Sequence, residues 1–265
     1  NATAIVDIQH DSQKGQLAAL TKVRQLLNYK REHTIFAMNH NDVITKTMHI
    51  DATLNDHEIM KYLTAQAVRI FSYPDNDIFI DYFPIDTSQE SPQQIQAIAA
   101  REKQINLFRK LSAISHFRLK AIDVDAFAIG RIIPFLDKNH CHKACIAIVY
   151  LKQRQLLFCV FNNIKNIYAA TVDYPPQNAH QPEPVICIAF NHALQFFNNA
   201  RPGYVINNAI LMGNANYSQS TLQALSMKAS FEIAMAQIAP HQTEISSLDP
   251  RLFCSFGAAL WRAPQ

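Results

Sequence analysis

The chain has 265 residues, of which 49% are hydrophobic and 17% are charged, and its formal net charge is +3. This composition can bury a hydrophobic core and excludes a disordered chain, and the length suits one large domain or two ordinary ones. The basic residues form no dense cluster, so direct binding of nucleic acid is not expected. No apolar stretch approaches the roughly 20 residues of a transmembrane helix, so no transmembrane segment is predicted.

The cysteines indicate a reducing compartment. There are five of them at irregular positions, and Cys145, Cys159 and Cys187 lie within apolar stretches, which is typical of reduced thiols in a core. No basic and then apolar leader opens the sequence. We therefore expect a cytoplasmic protein. Because the first residue is Asn1 rather than a methionine, we also expect a natural N-terminal piece to be missing.

The first elements in chain order are a helix and two strands. Apolar residues recur at helical spacing over residues 17–27, and residues 34–38 and 43–50 have the pattern of strands. Asn55, with Glu58 three residues later, forms the signal of a capping box. It predicts one helix whose apolar face continues to residue 70.

The most informative stretch follows this helix. Apolar and polar residues alternate over residues 78–84, which predicts a strand, and residues 95–99 predict a second one. Helical spacing over residues 101–114 then predicts a helix. A strand at residues 119–124 and a helix from about Asp125 complete this part of the chain.

The second half of the sequence also reads as α/β. Three apolar runs predict a meander of strands, at residues 144–151, 156–162 and 166–172. Pro184 ends a proline-rich loop and can begin a helix, since its missing N–H costs nothing there. A buried strand, a short helix and a last strand are then predicted at residues 205–212, 220–229 and 231–235.

This order of elements, with four short motifs, resembles the PilM family of type IV pilus assembly proteins and its shorter competence relative ComA. The motifs are "DY" at residues 81–82, "AAR" at 99–101, "IDVDAFAIGR" at 122–131 and the closing "FCSFGAALWRA" at 253–263. The resemblance covers most of the chain, from about Asp11 onward.

The resemblance implies an α/β fold of the actin-like (ribonuclease H-like) class related to FtsA, with two lobes and a small inserted subdomain of the 1C type. Residues 1–44 and 116–136 would form the first lobe (1A), truncated at its N-terminus. Residues 45–115 would form the insertion and residues 137–265 the second lobe. The family's first hairpin, which would carry a phosphate loop, has no visible counterpart.

Glycine is scarce, which argues against nucleotide binding. The chain has five glycines, where average usage would give roughly eighteen. Phosphate-binding loops need glycine to turn at positive φ and to bring backbone N–H groups to the anion, and neither GxxxxGK[ST] nor GxGxxG occurs. Actin-like ATPases have an Asp and a Gly at the first strand turn of the second lobe. The equivalent hairpin in this chain, at residues 148–152, has neither.

We therefore expect a degenerate nucleotide site with no cofactor, neither ATP nor Mg²⁺, and no ATPase activity. Gly213, Asn214 and Asn216 stand where the family has its adenine-side turn. They are read either as vestiges of that turn or as an ordinary strand-to-helix connection.

Two other clusters contain residue types that occur in metal sites and in acid–base catalysis. The HCHxxC motif at residues 140–145 lacks a second ligand pair, so a surface loop is expected rather than a metal site. Asp123 and Asp125 suggest a pair of acid–base carboxylates, but they lie at a strand-to-helix junction, where an Asp that caps the helix is the commoner arrangement.

The resemblance implies a cytoplasmic adaptor or scaffold of the type IV pilus or competence (DNA-uptake) machinery. A groove in the first lobe would bind the cytoplasmic N-terminal peptide of an inner-membrane partner like PilN, and thereby hold the protein at the membrane. The residues that this implies for partner binding are Asp81, Tyr82, Arg101, Asp123, Asp125, Phe127 and Arg131. For Asp81 and Arg101 the alternative is an ordinary surface ion pair.

Other functions stay open at this point. One alternative is a nucleotide-dependent actin-like ATPase that drives pilus assembly, and another is a metabolic or sugar-kinase-like enzyme. Contacts with other inner-membrane components of the pilus machinery, and self-association, are also open.

Overall fold

The computed structural model describes residues 12–30, 32–72, 77–85, 92–137, 145–163, 165–174, 183–213, 219–239 and 248–261. The chain divides into two compact units, residues 1–122 with 262–265, and residues 123–261. The lobe boundaries implied by the family resemblance stay predictions. Among the described residues, no helix has the length and apolar character needed to cross a membrane.

The first unit contains two sheets. Its elements are α1 (Gln13–Leu26), β1 (His33–Met38), β2 (Val43–Ile50), α2 (Asp56–Ala65), α3 (Ala67–Phe71), β3 (Ile78–Pro84), β4 (Gln93–Arg101), α4 (Glu102–Ile114) and β5 (Arg118–Val124), whose last residues belong to the second unit. Strands β1 and β5 pair with each other, and β2, β4 and β3 form an antiparallel sheet in that order.

The three-stranded sheet of the first unit packs against α2 and α3. The predicted capping box is confirmed, because the side chain of Asn55 accepts from the amide of Glu58 and the Glu58 side chain accepts from the amide of Asn55. The single helix predicted through residue 70 is wrong, since α2 and α3 meet at Gln66. Leu63 of α2 and Phe71 of α3 lie on either side of this break, and both are buried in the core of the sheet.

The second unit is built on one five-stranded sheet. Its elements are α5 (Asp125–Gly130), β6 (Cys145–Leu151), β7 (Gln155–Asn162), β8 (Lys165–Asp173), α6 (Glu183–Ala200), β9 (Asn208–Gly213), α7 (Gln219–Ser226), β10 (Glu232–Met235) and α8 (Phe253–Ala259). The strand order is β10-β9-β6-β7-β8. The predicted meander β6-β7-β8 is antiparallel, and β9 and β10 join it in parallel.

Helices cover both faces of this sheet. On one face Val149 and Phe158 lie in a core with Phe190 of α6. On the other face the ring of Phe161 meets Gly130 of α5. The strands are apolar on both faces because both are buried, which is why their sequences do not alternate.

The burial predicted for three of the cysteines is confirmed. Cys145, Cys159 and Cys187 are buried and free, and none of them forms a disulfide. Burial raises the pKa of all three thiols, and raises that of Cys159 well above its usual value. Such thiols are poor nucleophiles and act as small apolar side chains.

Two element boundaries in the second unit differ from the predictions by three residues. Strand β9 begins at Asn208 rather than at residue 205, and α7 ends at Ser226 rather than at residue 229. The strand begins later because the amide of Asn207 makes the first bond to β6, at the carbonyl of Cys145. Val205 is therefore 76% exposed instead of buried.

Candidate functional site

The residues expected to bind a partner fall into two sets, one in each unit. Asp81, Tyr82 and Arg101 lie on β3 and β4 of the first unit. The second set, in the second unit, consists of Asp123, Asp125, Phe127 and Arg131, at the end of β5 and in and after α5.

In the first unit, the sheet register separates Asp81 from the other two side chains. Arg101 pairs with Ile78, and Tyr82 lies on the same face four positions farther along β3, which is about 14 Å at about 3.4 Å per residue. Asp81 points to the opposite face, because successive side chains of a strand alternate. The register thus separates Asp81 from Arg101, which does not favour an ion pair between them.

Tyr82 is held by the helix beside it. Its hydroxyl donates to the Asp56 carboxylate at 2.6 Å, at the first residue of α2. Burial raises the pKa of Tyr82, and the hydrogen bond to Asp56 adds to that rise. The ring packs against the apolar core of the three-stranded sheet. The phenol is thus fixed in place, while Asp81 and Arg101 are exposed.

In the second unit, Arg131 connects two segments that are distant in sequence. Its guanidinium donates to the buried Asp123 carboxylate and, through Nε at 2.9 Å, to the carbonyl of Gly257 in α8. Burial raises the pKa of Asp123, and the charge of Arg131 opposes that rise. The two family-like motifs at residues 122–131 and 253–263 therefore meet in space.

Asp125 pairs with a lysine of the β6-β7 hairpin. Lys152 Nζ lies 2.5 Å from Asp125 Oδ2, and the side chains are 21% and 5% exposed respectively. The expectation that an Asp caps α5 is wrong, because the N-cap residue is Val124 and makes no side-chain cap. Asp123 instead forms an ion pair with Arg131, and Asp125 forms one with Lys152. These ion pairs do not favour a role for the two carboxylates in acid–base catalysis.

Small residues bring α5 and α8 very close together. A Cβ built on Gly257 would lie 1.9 Å from the carbonyl oxygen of Ala128, far inside van der Waals contact. Ala128 and Ala258 are both buried in this contact region. Phe127, which directly precedes Ala128 in α5, is half-buried.

Core residues fill the β6-β7 hairpin. The family resemblance implies an Asp and a Gly at this hairpin in proteins that bind nucleotide. Val149 and Leu151 are buried in the core beside α6, and Lys152 begins the turn, with its amide donating to the carbonyl of Gln155. Apolar side chains cannot supply a metal-orienting carboxylate.

Gly213 has a structural reason to be glycine. Its φ is +113°, and a Cβ there would lie 2.2 Å from the carbonyl oxygen of Leu151. The close approach of β9 to β6 therefore explains this glycine without a nucleotide. Asn214 and Asn216, the other two expected vestiges, lie outside the described residues, as do His140, Cys141 and His142 of the HCHxxC motif. No cluster of metal-ligating side chains is found in the part of the chain that the structure describes.

The sequence did not reveal the partners of these residues. Asp56, Lys152 and Gly257 are 26, 27 and 126 positions away from Tyr82, Asp125 and Arg131 respectively. The sequence signals were a lysine at a hairpin turn, Lys152, and a glycine in the closing motif, Gly257. Neither signal indicates which residue it contacts.

The family model described as "Type IV pilus assembly protein PilM" matches residues 1–181. The chain is also similar to a solved structure described as "PilM-PilN type IV pilus biogenesis complex", with 11% sequence identity and a TM-score of 0.74, covering 97% of this chain and 87% of that chain.

Weaker likenesses extend to other proteins. A Bacteroides thetaiotaomicron protein of actin-like ATPase fold and unknown function has 8% identity and a TM-score of 0.48, covering 83% of this chain and 75% of that one. The cytoplasmic domain of EpsL, an inner membrane component of the type II secretion system of Vibrio cholerae, has 11% identity and a TM-score of 0.45, with 81% and 82% covered. The predicted α/β actin-like fold is confirmed.

Proposed function

The chain belongs to the PilM family of type IV pilus assembly proteins, and on that premise we propose that it is an adaptor without nucleotide chemistry. It binds the cytoplasmic N-terminal peptide of an inner-membrane protein like PilN, and this contact holds it at the cytoplasmic side of the membrane. The observation that carries the proposal is the family match over residues 1–181, which includes all seven residues expected to bind the partner.

The first unit offers the peptide a strand edge that carries Asp81, with Arg101 at the end of the neighbouring strand β4. Strand β3 lies at one edge of the sheet order β2-β4-β3, and an extended peptide gains main-chain hydrogen bonds when it adds to such an edge. Asp81 and Arg101 are exposed, and Arg101 can hold carbonyl or carboxylate oxygens through several N–H groups. Tyr82, fixed by Asp56, would give the edge an apolar contact.

In the second unit, two of the four residues are suited to contact and two to support. Phe127 and Arg131 are half-buried and keep accessible surface. Asp123 and Asp125 are buried against Arg131 and Lys152, so their carboxylates would position those cations rather than touch a peptide. We therefore propose contact roles for Phe127 and Arg131 and positioning roles for the two aspartates.

Partner binding is expected to weaken when a contact residue is truncated. Arg101→Ala and Phe127→Ala should each lower the affinity for the partner's N-terminal peptide by about tenfold, because Arg and aromatic residues dominate interface energies. The measurements are a pull-down with that peptide and the melting temperature of the same sample.

The matched controls substitute an arginine and a phenylalanine at other positions of the chain. Arg69→Ala on α3 and Phe196→Ala on α6 alter side chains that are exposed elsewhere in the same two units. They should leave binding unchanged. Retained binding in the Arg101 and Phe127 variants, or binding lost only together with the fold, contradicts the assigned contacts.

Nucleotide binding separates the adaptor from the ATPase alternative. We expect no measurable heat when Mg-ATP is titrated into the protein, because Val149 and Leu151 are core residues and Lys152 is paired with Asp125. Phosphate binding needs backbone donors and a metal-orienting carboxylate that this hairpin does not present. A dissociation constant in the micromolar range, measured by calorimetry, would instead favour the actin-like ATPase or the kinase-like enzyme.

A further inference from the structure

One end of the five-stranded sheet in the second unit collects exposed apolar and basic side chains. The residues paired at this end are Cys145 with Asn162, Asn162 with Lys165, and Ile146 and Glu232 with Asn208. Two connections arrive there, since residues 201–207 lead from α6 into β9 and residues 227–231 lead from α7 into β10. The register therefore places both connections at the same end.

Both connections carry apolar side chains that are exposed to solvent. Met227 is 83% exposed, Val205 is 76% exposed and Tyr204 is also exposed. The sequence predicts burial for Val205 and a helical position for Met227, yet each lies just outside its regular element. Places where a local pattern and the folded structure disagree in this way are often functional, and large apolar side chains grouped on a surface are typical of an interaction site.

The charges at this end are mainly positive. Lys165, Arg201 and Lys228 are exposed there, against one carboxylate, Glu232, among the described residues of this end. Arg201 is held in place because its Nε donates to the carbonyl of Ile167 at 3.0 Å. Three cations beside exposed apolar side chains fit a partner surface that is anionic and has an apolar interior.

We propose that these residues form a docking surface for an anionic lipid bilayer. We call it the strand-start surface and define it as Lys165, Arg201, Tyr204, Val205, Met227 and Lys228. Val205 and Met227 enter the headgroup region, and the three cations lie against lipid phosphates. This contact is separate from partner-peptide binding, because none of its six residues is among those expected to bind the peptide.

The exposure values favour a bilayer over a peptide as the occupant. A groove that binds a peptide shades the side chains that line it, whereas Val205 and Met227 are largely open to solvent. A bilayer accepts protruding apolar side chains without a complementary shape, and its affinity grows with buried apolar area and with each cation near the surface. A weak lipid contact also strengthens any second attachment to the same membrane, because the second event becomes intramolecular.

The test is co-sedimentation of the purified chain with vesicles, without any partner peptide. Vesicles of phosphatidylcholine with about one-third phosphatidylglycerol should bind the protein at low salt, and pure phosphatidylcholine should bind it at least about tenfold more weakly. Raising the salt to roughly 0.5 M should release most of the bound protein, because the charge attraction is screened.

Substitutions locate the contact. Val205→Ser and Met227→Ser should each weaken partition to the anionic vesicles by about fivefold, since each removes apolar area from the buried contact. Lys228→Glu should weaken it by about tenfold, because it replaces an attraction with a repulsion. All three positions are exposed, so circular dichroism should show an unchanged fold.

The matched controls are Val68→Ser, at a valine that is 55% exposed in the first unit, and Lys22→Glu, at an exposed lysine of α1. Neither should change partition. The proposal is overturned if anionic and neutral vesicles bind equally, or if the controls weaken binding as much as the surface variants. It is also overturned if sedimentation velocity without lipid shows self-association that Val205→Ser abolishes, because the surface would then join two copies of the chain.

Discussion

Gly257→Ala is expected to lower the free energy of unfolding of the second unit by about 3 kcal/mol. The added methyl group would lie 1.9 Å from the carbonyl oxygen of Ala128. The neighbour is backbone, so no side-chain rotation relieves the clash and the helices α5 and α8 have to move apart. That movement would also stretch the bond from Arg131 to the Gly257 carbonyl.

Urea denaturation followed by the fluorescence of Trp261 measures this effect, since the chain has a single tryptophan and only Leu260 separates it from the end of α8. Gly203→Ala is the control, because a Cβ there meets no atom within 4 Å. We expect the control to change stability by less than about 0.5 kcal/mol. If the two variants unfold at the same urea concentration, the close contact between α5 and α8 is wrong.

Lys152→Met is expected to lower the free energy of unfolding by about 2–4 kcal/mol. The loss is large because Asp125 is almost fully buried, so its carboxylate cannot recover the lost interaction from water. The reverse change, Asp125→Asn, should cost less, since Lys152 keeps more exposure and can turn its ammonium toward solvent. Urea denaturation of both variants at neutral pH measures the difference.

The double variant Asp125→Asn with Lys152→Met should recover most of the stability that Lys152→Met loses, because no charge is then left buried without a counterion. Arg251→Ala is the control, because it breaks an ion pair with Asp249 whose side chains are 42% and 32% exposed. Exposed pairs contribute about 0–1 kcal/mol. An equal loss in the control, or a double variant as unstable as Lys152→Met, would show that the pair between Asp125 and Lys152 is not buried.

Local patterns predicted most of the regular structure. The capping box at Asn55, the alternation over residues 78–84 and the apolar runs of the meander each depend on neighbours within a few positions, and the elements they predict are present. These signals work because helix caps and strand faces are properties of short segments.

The site could be predicted only in part. The sequence singled out Asp123, Asp125 and Arg131, but what each one contacts depends on how α5, the β6-β7 hairpin and α8 come together. Lys152 carries no local mark of its ion pair with Asp125. Likewise, apolar composition suggested burial for Val205, while its exposure follows from the position at which β9 begins to pair with β6.

The contact between α5 and α8 joins residues about 130 positions apart, and this separation has a consequence for synthesis of the chain. On the ribosome, α5 emerges long before α8, whereas the hairpin of β6 and β7 can close as soon as it is made. The side of α5 around Ala128, which contacts α8 in the folded unit, therefore stays without this contact until α8 has been made. Such a late-closing surface slows folding and is a natural place for a chaperone to bind the nascent chain.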